Sequence, residues 1–329
     1  MLFSGGFSMY SLGFDIGGTK CAVILGRGEM PDSHEDLIID KIAFPTNVGR
    51  GWRAITDEMI SSADTLLSRH GIRDPKNELI GIGISCGGPL DSKKGTINCP
   101  PNLPDWDNVP ICDMLYEHFG IRPNLQNDAN ACAVAEWKFG SGKGTRNMIF
   151  LTFGTGMGAG LILDGRLYSG TNDMAGEVGH IRLADSGPEG YGKKGSFEGF
   201  CSGGGIKRLG EMMIEKARLD GTESILFSET EITAKTIAIA ARGGDALAKS
   251  IYDTCAGRLG MALSILIDIL NPEAIVIGSI YSRSNDLFDG IINDVINKEA
   301  LSYSRAVCKI LPAALGDSIG DFAALGLAF

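Results

Sequence analysis

Two stretches of the chain follow the same plan, and they limit the fold more than any other feature. Residues 11–26 (SLGFDIGGTKCAVILG) predict a strand, a tight turn at Gly17-Gly18 and a second strand. Residues 147–165 repeat this order, with strands at 148–153 and 159–163 on either side of a glycine-rich turn. Such turns favour glycine, which accepts positive φ, and their N–H groups form a concavity for anions. The shared plan predicts two lobes, each presenting a glycine turn to a common cleft.

Groups suited to acid/base chemistry flank the second of these stretches. Asn127-Asp128 opens a helix predicted over residues 128–139, and Glu177 and His180 follow the second hairpin. Each also has a structural interpretation. Asp128 could only cap its helix, a contribution of about 1 kcal/mol, and His180 could be a structural histidine. Asp15 likewise could be a solvated residue of a plain hairpin.

Hydrophobic periodicity and breakers outline the rest of the chain. Residues 185–205, polar and rich in glycine, predict a long functional loop or lid. Further helices are predicted at 51–70, 109–119, 206–218, 231–242, 245–270, 288–296 and 322–329, and further strands at 79–85, 123–126, 274–277 and 310–313.

Length, charge and cysteine content narrow the functional class. The 329 residues fit about two domains at roughly 150 residues each. The net charge of −10 argues against a nucleic-acid partner, because phosphate backbones attract clustered Lys and Arg. The eight cysteines contain no C-x-x-C pair, which favours a reducing cytoplasm. No segment is expected to target or span a membrane, since residues 1–10 lack a basic region and the apolar run 261–270 is too short.

Taken together, these pieces resemble the ROK family of sugar kinases and repressors, and the matching motifs occur in family order over nearly the whole chain. They are Asp15-Ile16-Gly17-Gly18-Thr19-Lys20, Pro101-Asn102-Leu103-Pro104-Asp105-Trp106, Asn127-Asp128-Ala129-Asn130 with Ala135-Glu136, Gly154-Thr155-Gly156-Met157-Gly158-Ala159-Gly160, Gly176-Glu177-Val178-Gly179-His180, and Asn271-Pro272-Glu273 with Ile275-Val276-Ile277-Gly278.

The resemblance implies an α/β fold of the two-lobed, actin-like (RNase H-like) ATPase type. Each lobe is then a mixed sheet flanked by helices, with a cleft between the lobes. We expect a smaller lobe from residues 1–123 plus 314–329, with the C-terminal helix returning to it, and a larger lobe from residues 124–313. A homodimer is also expected.

The resemblance further implies phosphorylation of a hexose or N-acetylhexosamine by ATP and Mg²⁺, at the 6-hydroxyl and with glucose as the first candidate. Asp128 would be the general base, and Asp15 would hold Mg²⁺, through water because this ion dehydrates reluctantly. The residues expected to bind the sugar are Gly88, Asn102, Asn127, Asp128, Glu177, His180 and Glu198. Those expected to bind the nucleotide are Asp15, Gly17, Gly18, Thr19, Lys20, Thr155, Gly156 and Gly278.

One segment departs from the family pattern. The family carries a zinc motif, C-x-C-G-x-x-G-C-x-E, shortly after its Gly-His pair. Here Glu189, Tyr191 and Ser196 replace the three cysteines, whereas Glu198 remains. Because structural zinc takes about four N or S ligands, His180 alone is not sufficient, and we expect no zinc.

Two other functions remain open at this stage. The first is a sugar-responsive regulator, since ROK repressors share this body. They carry an N-terminal helix-turn-helix of several dozen residues, whereas about ten residues precede the first strand here. The second is a sugar-binding protein without catalysis, suggested by the altered zinc segment. Retention of Asp15, Asp128 and both glycine turns favours the kinase.

The missing cysteines generate a direct test. Elemental analysis of the purified protein after dialysis against a chelator should find no zinc, because the donors that would hold it are absent. One zinc per chain after that treatment would contradict the expectation.

Overall fold

The computed structural model describes residues 9–29 and 33–329. Its strands are β1 (Tyr10–Ile16), β2 (Lys20–Arg27), β3 (Ile38–Pro45), β4 (Leu79–Cys86), β5 (Leu90–Asp91), β6 (Thr96–Ile97), β7 (Asn124–Asn127), β8 (Met148–Leu151), β9 (Ala159–Leu163), β10 (Arg166–Tyr168), β11 (Glu189–Gly190), β12 (Lys193–Lys194), β13 (Ala274–Ile277) and β14 (Lys309–Pro312). Its helices are α1 (Trp52–Arg69), α2 (Pro75–Glu78), α3 (Ile111–Phe119), α4 (Asp128–Phe139), α5 (Phe197–Phe200), α6 (Gly203–Leu219), α7 (Ala234–Arg242), α8 (Ala246–Leu270), α9 (Ile280–Ser284), α10 (Asp289–Glu299), α11 (Ser302–Val307) and α12 (Ile319–Gly326).

The chain forms two compact units. The first contains the described residues up to Lys143, together with Ser169–Met174 and Asp317–Phe329, and the second contains Gly144–Tyr168 and Ala175–Gly316. Residues 124–143 thus belong to the first unit, whereas the sequence-based division assigned them to the second. The reason is pairing: β7 is hydrogen-bonded to β4, and α4 packs against α12.

The two units repeat one sheet topology. The first sheet has the strand order β3-β2-β1-β4-β7, and the second has the order β10-β9-β8-β13-β14. In each, the first three strands are antiparallel and the last two join in parallel. The expectation of two mixed sheets flanked by helices, built on one plan, is confirmed.

Most predicted elements are found, and the exceptions have physical causes. Strand β3 was not predicted, although it carries Ile38, Ile39 and Ile42; Asp40 and Lys41 interrupt its apolar residues, and at this sheet edge only Phe44 is buried. The predicted loop or lid at residues 185–205 is wrong. That stretch holds the β11–β12 hairpin, α5 and the start of α6, tied by hydrogen bonds such as that from Leu183 N to Gly195 O (2.8 Å).

Each unit has its own apolar core. In the first unit, one face of the sheet packs on α1 and α3 through residues such as Phe14, Ile84 and Leu115. In the second, α8 runs through the core, and its residues Ile251, Leu259 and Leu263 are fully buried. Over residues 9–29 and 33–329, no helix has the combination of length and apolarity that crossing a membrane requires.

Glycines on the other face of the first sheet admit the backbone of α12 and of Ala328 just after it. A Cβ at Gly81 would lie 2.1 Å from Ala328 O, one at Gly83 would lie 2.1 Å from Ala324 O, and one at Gly13 would lie 2.9 Å from Leu325 N. No real side chain fits at such distances. The helix therefore lies directly on β1 and β4.

This packing predicts a large asymmetry between two glycine substitutions. Gly83→Ala should destabilise the first unit by about 1–3 kcal/mol, the usual cost of overpacking a core. The matched control is Gly257→Ala in α8, where a Cβ meets no atom within 4 Å. That variant should be neutral or stabilising by up to about 1 kcal/mol, because alanine favours helix. Urea unfolding midpoints measure both, and equal midpoints would contradict the close contact.

Candidate active site

The parallel strands of the first unit bring its candidate residues to one sheet edge. Asp15 of β1 is in register with Ser85 of β4, which pairs with Gln126 of β7. The carboxyl ends of parallel strands meet at the same edge, where α/β proteins bind ligands. Asp15 and Asp128, on strand and helix, therefore belong to one neighbourhood, and the charge of Asp128 acts on the Asp15 carboxyl.

Asn102 joins two glycine segments at this edge. A Cβ at Gly18 would lie 2.4 Å from Asn102 O, and one at Gly87 would lie 3.0 Å from Asn102 Oδ1. A Cβ at Gly88 would lie 3.8 Å from the Cβ of Asn127. The structure thus brings Gly18, Asn102, Gly88 and Asn127 together. The Asn102 side chain remains exposed, so its amide is available to a ligand.

The turn between β1 and β2 has two amides without a hydrogen-bond acceptor among residues 9–29 and 33–329. Gly17 N donates to Lys20 O (3.1 Å) and closes the turn. For the N–H groups of Gly18 and Thr19, the part of the chain that the structure describes offers no hydrogen-bond acceptor. Adjacent free amides of this kind suit an anionic ligand. This geometry fits the expectation that the turn binds phosphate.

Asp128 is not the cap of its helix. The side chain of Asn127 caps α4 by accepting from Asn130 N (2.8 Å). Asp128 Oδ1 accepts from Ala129 N (2.8 Å), and the residue as a whole keeps exposed surface although protein atoms surround its carboxyl. The structural interpretation of Asp128 as a cap is therefore wrong.

The surroundings of Asp128 shift its acidity. Protein atoms that displace water around the carboxyl raise the pKa of Asp128, and the N–H of Ala129 only partly opposes that rise. A raised pKa makes the carboxylate a stronger base, which suits proton transfer.

Asp15 lies in a negative field. Burial, followed by the charge of Asp321, raises the pKa of Asp15 to about 6, although Lys20 and Lys41 oppose the rise. Asp321 is itself bound by Lys41, with Nζ to Oδ2 at 2.6 Å. The start of α12 adjoins the carboxylate, since a Cβ at Gly320 would lie 2.9 Å from Asp15 Oδ2. A half-buried carboxylate in such a field is a suitable ligand for a hydrated Mg²⁺, whose charge would offset it.

In the second unit, Glu198 lies against the glycine turn that follows β8. Its Oε2 accepts from Met157 N (3.0 Å), and a Cβ at Gly156 would lie 2.8 Å from the same oxygen. A Cβ at Gly179 would lie 3.3 Å from the Cβ of Glu198. Glu198 therefore connects the turn with the segment that carries Glu177 and His180. Thr155, at the tip of the turn, is exposed.

Gly278 and Ser279 adjoin the same turn. Gly278 N donates to Leu151 O (2.9 Å), and a Cβ at Gly154 would lie 3.6 Å from Ser279 Oγ. Ser279 has φ 52° and ψ −107°, a conformation that favours glycine. The expected nucleotide-binding residues of this unit, Thr155, Gly156 and Gly278, thus lie in one small area.

Glu177 and His180 are exposed. His180 ends a 3-10 turn, and its ring meets that of Tyr191 edge-on at 6.0 Å. Lys193 Nζ donates to His180 O (2.7 Å). The segment that replaces the family's zinc motif therefore positions His180 through a ring contact from Tyr191 and a hydrogen bond from Lys193.

The residues that replace the zinc cysteines do not fit a zinc ion. The Ser196 hydroxyl is fully buried, caps α5 by accepting from Gly199 N (3.0 Å) and donates to Gly190 O (3.2 Å). Tyr191 offers only a phenol. No group of three or more His, Cys, Asp or Glu side chains suited to a metal ion occurs within residues 9–29 and 33–329.

Three residues near the site carry no motif that would predict their role: Asp321, Lys41 and Thr46. Asp321 and Lys41 shape the field at Asp15, and Thr46 bonds the turn between β1 and β2. Asp321 and Lys41 are 280 positions apart in the chain, so only folding brings them together. For Thr46, the sequence offers one local indication: this polar residue directly follows the apolar Phe44-Pro45 pair.

Known proteins are similar to this chain in both sequence and fold. The chain is 34% identical to the glucokinase of Halalkalibacterium halodurans, over 94% of this chain and 92% of that protein. It is 30% identical to the transcriptional repressor Mlc of Escherichia coli, over 77% of this chain and 61% of that protein. The crystal structure of a ROK family glucokinase from Streptomyces griseus with glucose and AMPPNP matches with a TM-score of 0.71 and 28% identity, over 97% of this chain and 99% of that one. The model of the ROK family matches residues 11–328, and the chain belongs to that family.

Proposed function

We propose that this protein is an ATP-dependent hexose kinase that phosphorylates the 6-hydroxyl, with glucose as the first substrate to test. The observation that carries the proposal is the position of Asp128 at the carboxyl ends of parallel strands. Asn127 caps α4, so the Asp128 carboxylate is not needed as the cap. The glucokinase relatives support the reaction class, since they match over nearly their full length. The Streptomyces griseus structure supports the use of ATP, because AMPPNP is an ATP analogue.

In the proposed reaction, Asp128 accepts the proton of the 6-hydroxyl as its oxygen attacks the γ-phosphorus of ATP. The bond from that phosphorus to the bridging oxygen of ADP breaks, and the sugar phosphate and ADP result. Such a base contributes about 10²–10⁴-fold to the rate. Phosphoryl transfer otherwise depends on positioning and charge stabilisation.

The other site residues divide by ligand in this proposal. Gly88, Asn102 and Asn127 in the first unit, and Glu177, His180 and Glu198 in the second, bind sugar hydroxyls. Gly17, Gly18, Thr19, Lys20, Thr155 and Gly156 bind phosphates, and Gly278 lies near adenosine. Carboxylates suit hydroxyl recognition because each accepts from more than one OH group. A sugar that lacks an OH would leave an acceptor unpaired and bind poorly.

Mg²⁺ is part of the proposal, with Asp15 as the residue that holds it through water. The ion would neutralise charge that develops on the transferring phosphoryl group. A cytoplasmic location and a homodimer also belong to the proposal and rest on the family resemblance and the cysteine content.

A repressor is the second candidate, because Mlc is among the relatives. Its identity and coverage are lower than those of the glucokinase. An assay that couples ADP release to a panel of hexoses and N-acetylhexosamines separates the candidates. Release of ADP with glucose supports the kinase; binding of sugars without any ADP release would favour a regulator or a sugar-binding protein. The panel includes fructose, allose, N-acetylglucosamine and N-acetylmannosamine.

Asp128→Asn tests the base directly. Because Asn127 caps α4, the variant should fold and bind sugar with near-normal affinity, whereas kcat should fall by about 10²–10⁴-fold. Calorimetry with glucose measures binding, and the coupled assay measures kcat. Near-normal turnover would remove Asp128 as the base.

Asp15→Asn tests the negative electrostatic potential at the proposed Mg²⁺ site. Folding raises the pKa of Asp15 from 3.8 to about 6, so between these pH values the folded protein keeps a proton that the unfolded chain has lost. Stability of the metal-free protein should therefore fall as pH rises from about 4 to about 6. Asp15→Asn should remove this loss and gain on the order of 1 kcal/mol at pH 7 relative to the unsubstituted protein.

The control for this measurement is Asp253→Asn, at an exposed position of α8. It should leave the pH profile of thermal unfolding unchanged. MgADP above pH 6 should stabilise the unsubstituted protein more than Asp15→Asn. Equal stabilisation of the two would contradict the assignment of Mg²⁺ to Asp15.

A further inference from the structure

Thr46 contacts the turn between β1 and β2 at two points. It follows β3 directly and is fully buried. Its N–H donates to Thr19 O (2.9 Å), and its hydroxyl donates to Gly17 O (2.5 Å). One side chain and its own backbone therefore hold the carbonyls of the first and third residues of the turn.

The bond to Gly17 O fixes more than that oxygen. A peptide unit is planar and trans, so its C=O and N–H point in opposite directions. When the Gly17 carbonyl points to Thr46, the N–H of Gly18 must point away from it, to the face that has no protein acceptor among the residues that the structure describes. Glycine tolerates either orientation of this peptide, so the sequence of the turn does not itself select one.

Thr46 is in turn held from two other directions. Its hydroxyl has one proton, which goes to Gly17 O, so in the contact at 3.4 Å the Cys21 thiol is the side that can donate to Thr46 Oγ1; the same thiol also lies 3.9 Å from Gly17 O. Burial raises the pKa of Cys21, which keeps that thiol protonated. Arg50 Nε donates to Thr46 O (3.0 Å), and Arg50 is paired with Glu58. The hydroxyl is therefore preorganised.

We propose that Thr46 is a positioning residue that selects the orientation of the Gly17–Gly18 peptide in which the Gly18 amide donates to a nucleotide phosphate. Thr46 itself touches no ligand in this role. The inference rests on the proposed function, since it assumes that this turn binds ATP. It assigns to a buried threonine outside the family's turn motif a specific effect on nucleotide affinity.

The test compares Thr46→Val with Thr46→Ser. Valine keeps the shape of the threonine side chain but has no hydroxyl to donate to Gly17 O, so the Gly17–Gly18 peptide can flip. The Kd of MgADP and the KM of ATP should rise by about tenfold, the effect of losing one oriented hydrogen bond to a charged group. The KM of the hexose should stay within about twofold, because the sugar residues are unaffected. Thr46→Ser retains the hydroxyl and should restore nucleotide affinity.

The matched control is Thr56→Val. Thr56 is also fully buried, and its hydroxyl donates to Trp52 O (2.9 Å) within α1 and not to the turn. This variant should lose comparable stability but keep nucleotide affinity. If Thr46→Val does not fold, Thr46→Ala, which removes the donor without adding bulk, provides the same comparison.

The outcomes separate this inference from the proposed function. A folded Thr46 variant without the hydroxyl that binds MgADP as tightly as the unsubstituted protein would overturn the role of Thr46 and leave the kinase intact. Equal losses for nucleotide and hexose, or no rescue by serine, would also overturn it. An unsubstituted protein that binds no adenine nucleotide would refute both.

Discussion

Parallel pairing of β1, β4 and β7 is the constraint on which the candidate site of the first unit depends. The pairing aligns the strand ends, so that Asp15, the Gly87-Gly88 segment and Asn127-Asp128 leave the sheet at one edge. Side-chain contacts are not required to place these residues near one another. The backbone ladder sets their spacing, and the loop with Asn102 then covers the glycines that the ladder has placed.

The sequence was most informative where a local pattern decided the structure. The helix over 128–139 and the strands over 159–163 and 274–277 match α4, β9 and β13. Residues 148–153 were expected as one strand, but β8 ends at Leu151, and Phe153 turns to φ 36° at the start of the glycine turn. Edge strand β3 was missed because Asp40 and Lys41 interrupt its apolar residues, and the hairpin at 189–194 was missed because two-residue strands are too short to show a periodicity.

The same division applies to the site. Motif residues such as Asp15, Gly18, Asn102 and Asp128 were named from the sequence, and the structure brings them together in the first unit. Their ligand roles stay predictions. The sequence did not reveal the electrostatic environment, because the pKa of Asp15 depends first on burial and then on Asp321 from the far end of the chain, and the pKa of Asp128 depends on the protein atoms packed around its carboxyl. It also did not reveal Thr46, whose partners lie across a strand pair.

The packing of α12 on β1 and β4 has a consequence for how this protein can change over evolutionary time. Because Gly13 and Gly83 face the backbone of α12 and Gly81 faces that of Ala328 just after it, no conservative replacement of one of them can be accommodated by moving a partner side chain. The helix would have to shift as a body, and with it Gly320 beside Asp15 and the face that α4 contacts. Substitutions in this layer are therefore expected to be strongly non-additive. Changes in substrate preference are therefore expected in loops that do not pack against α12.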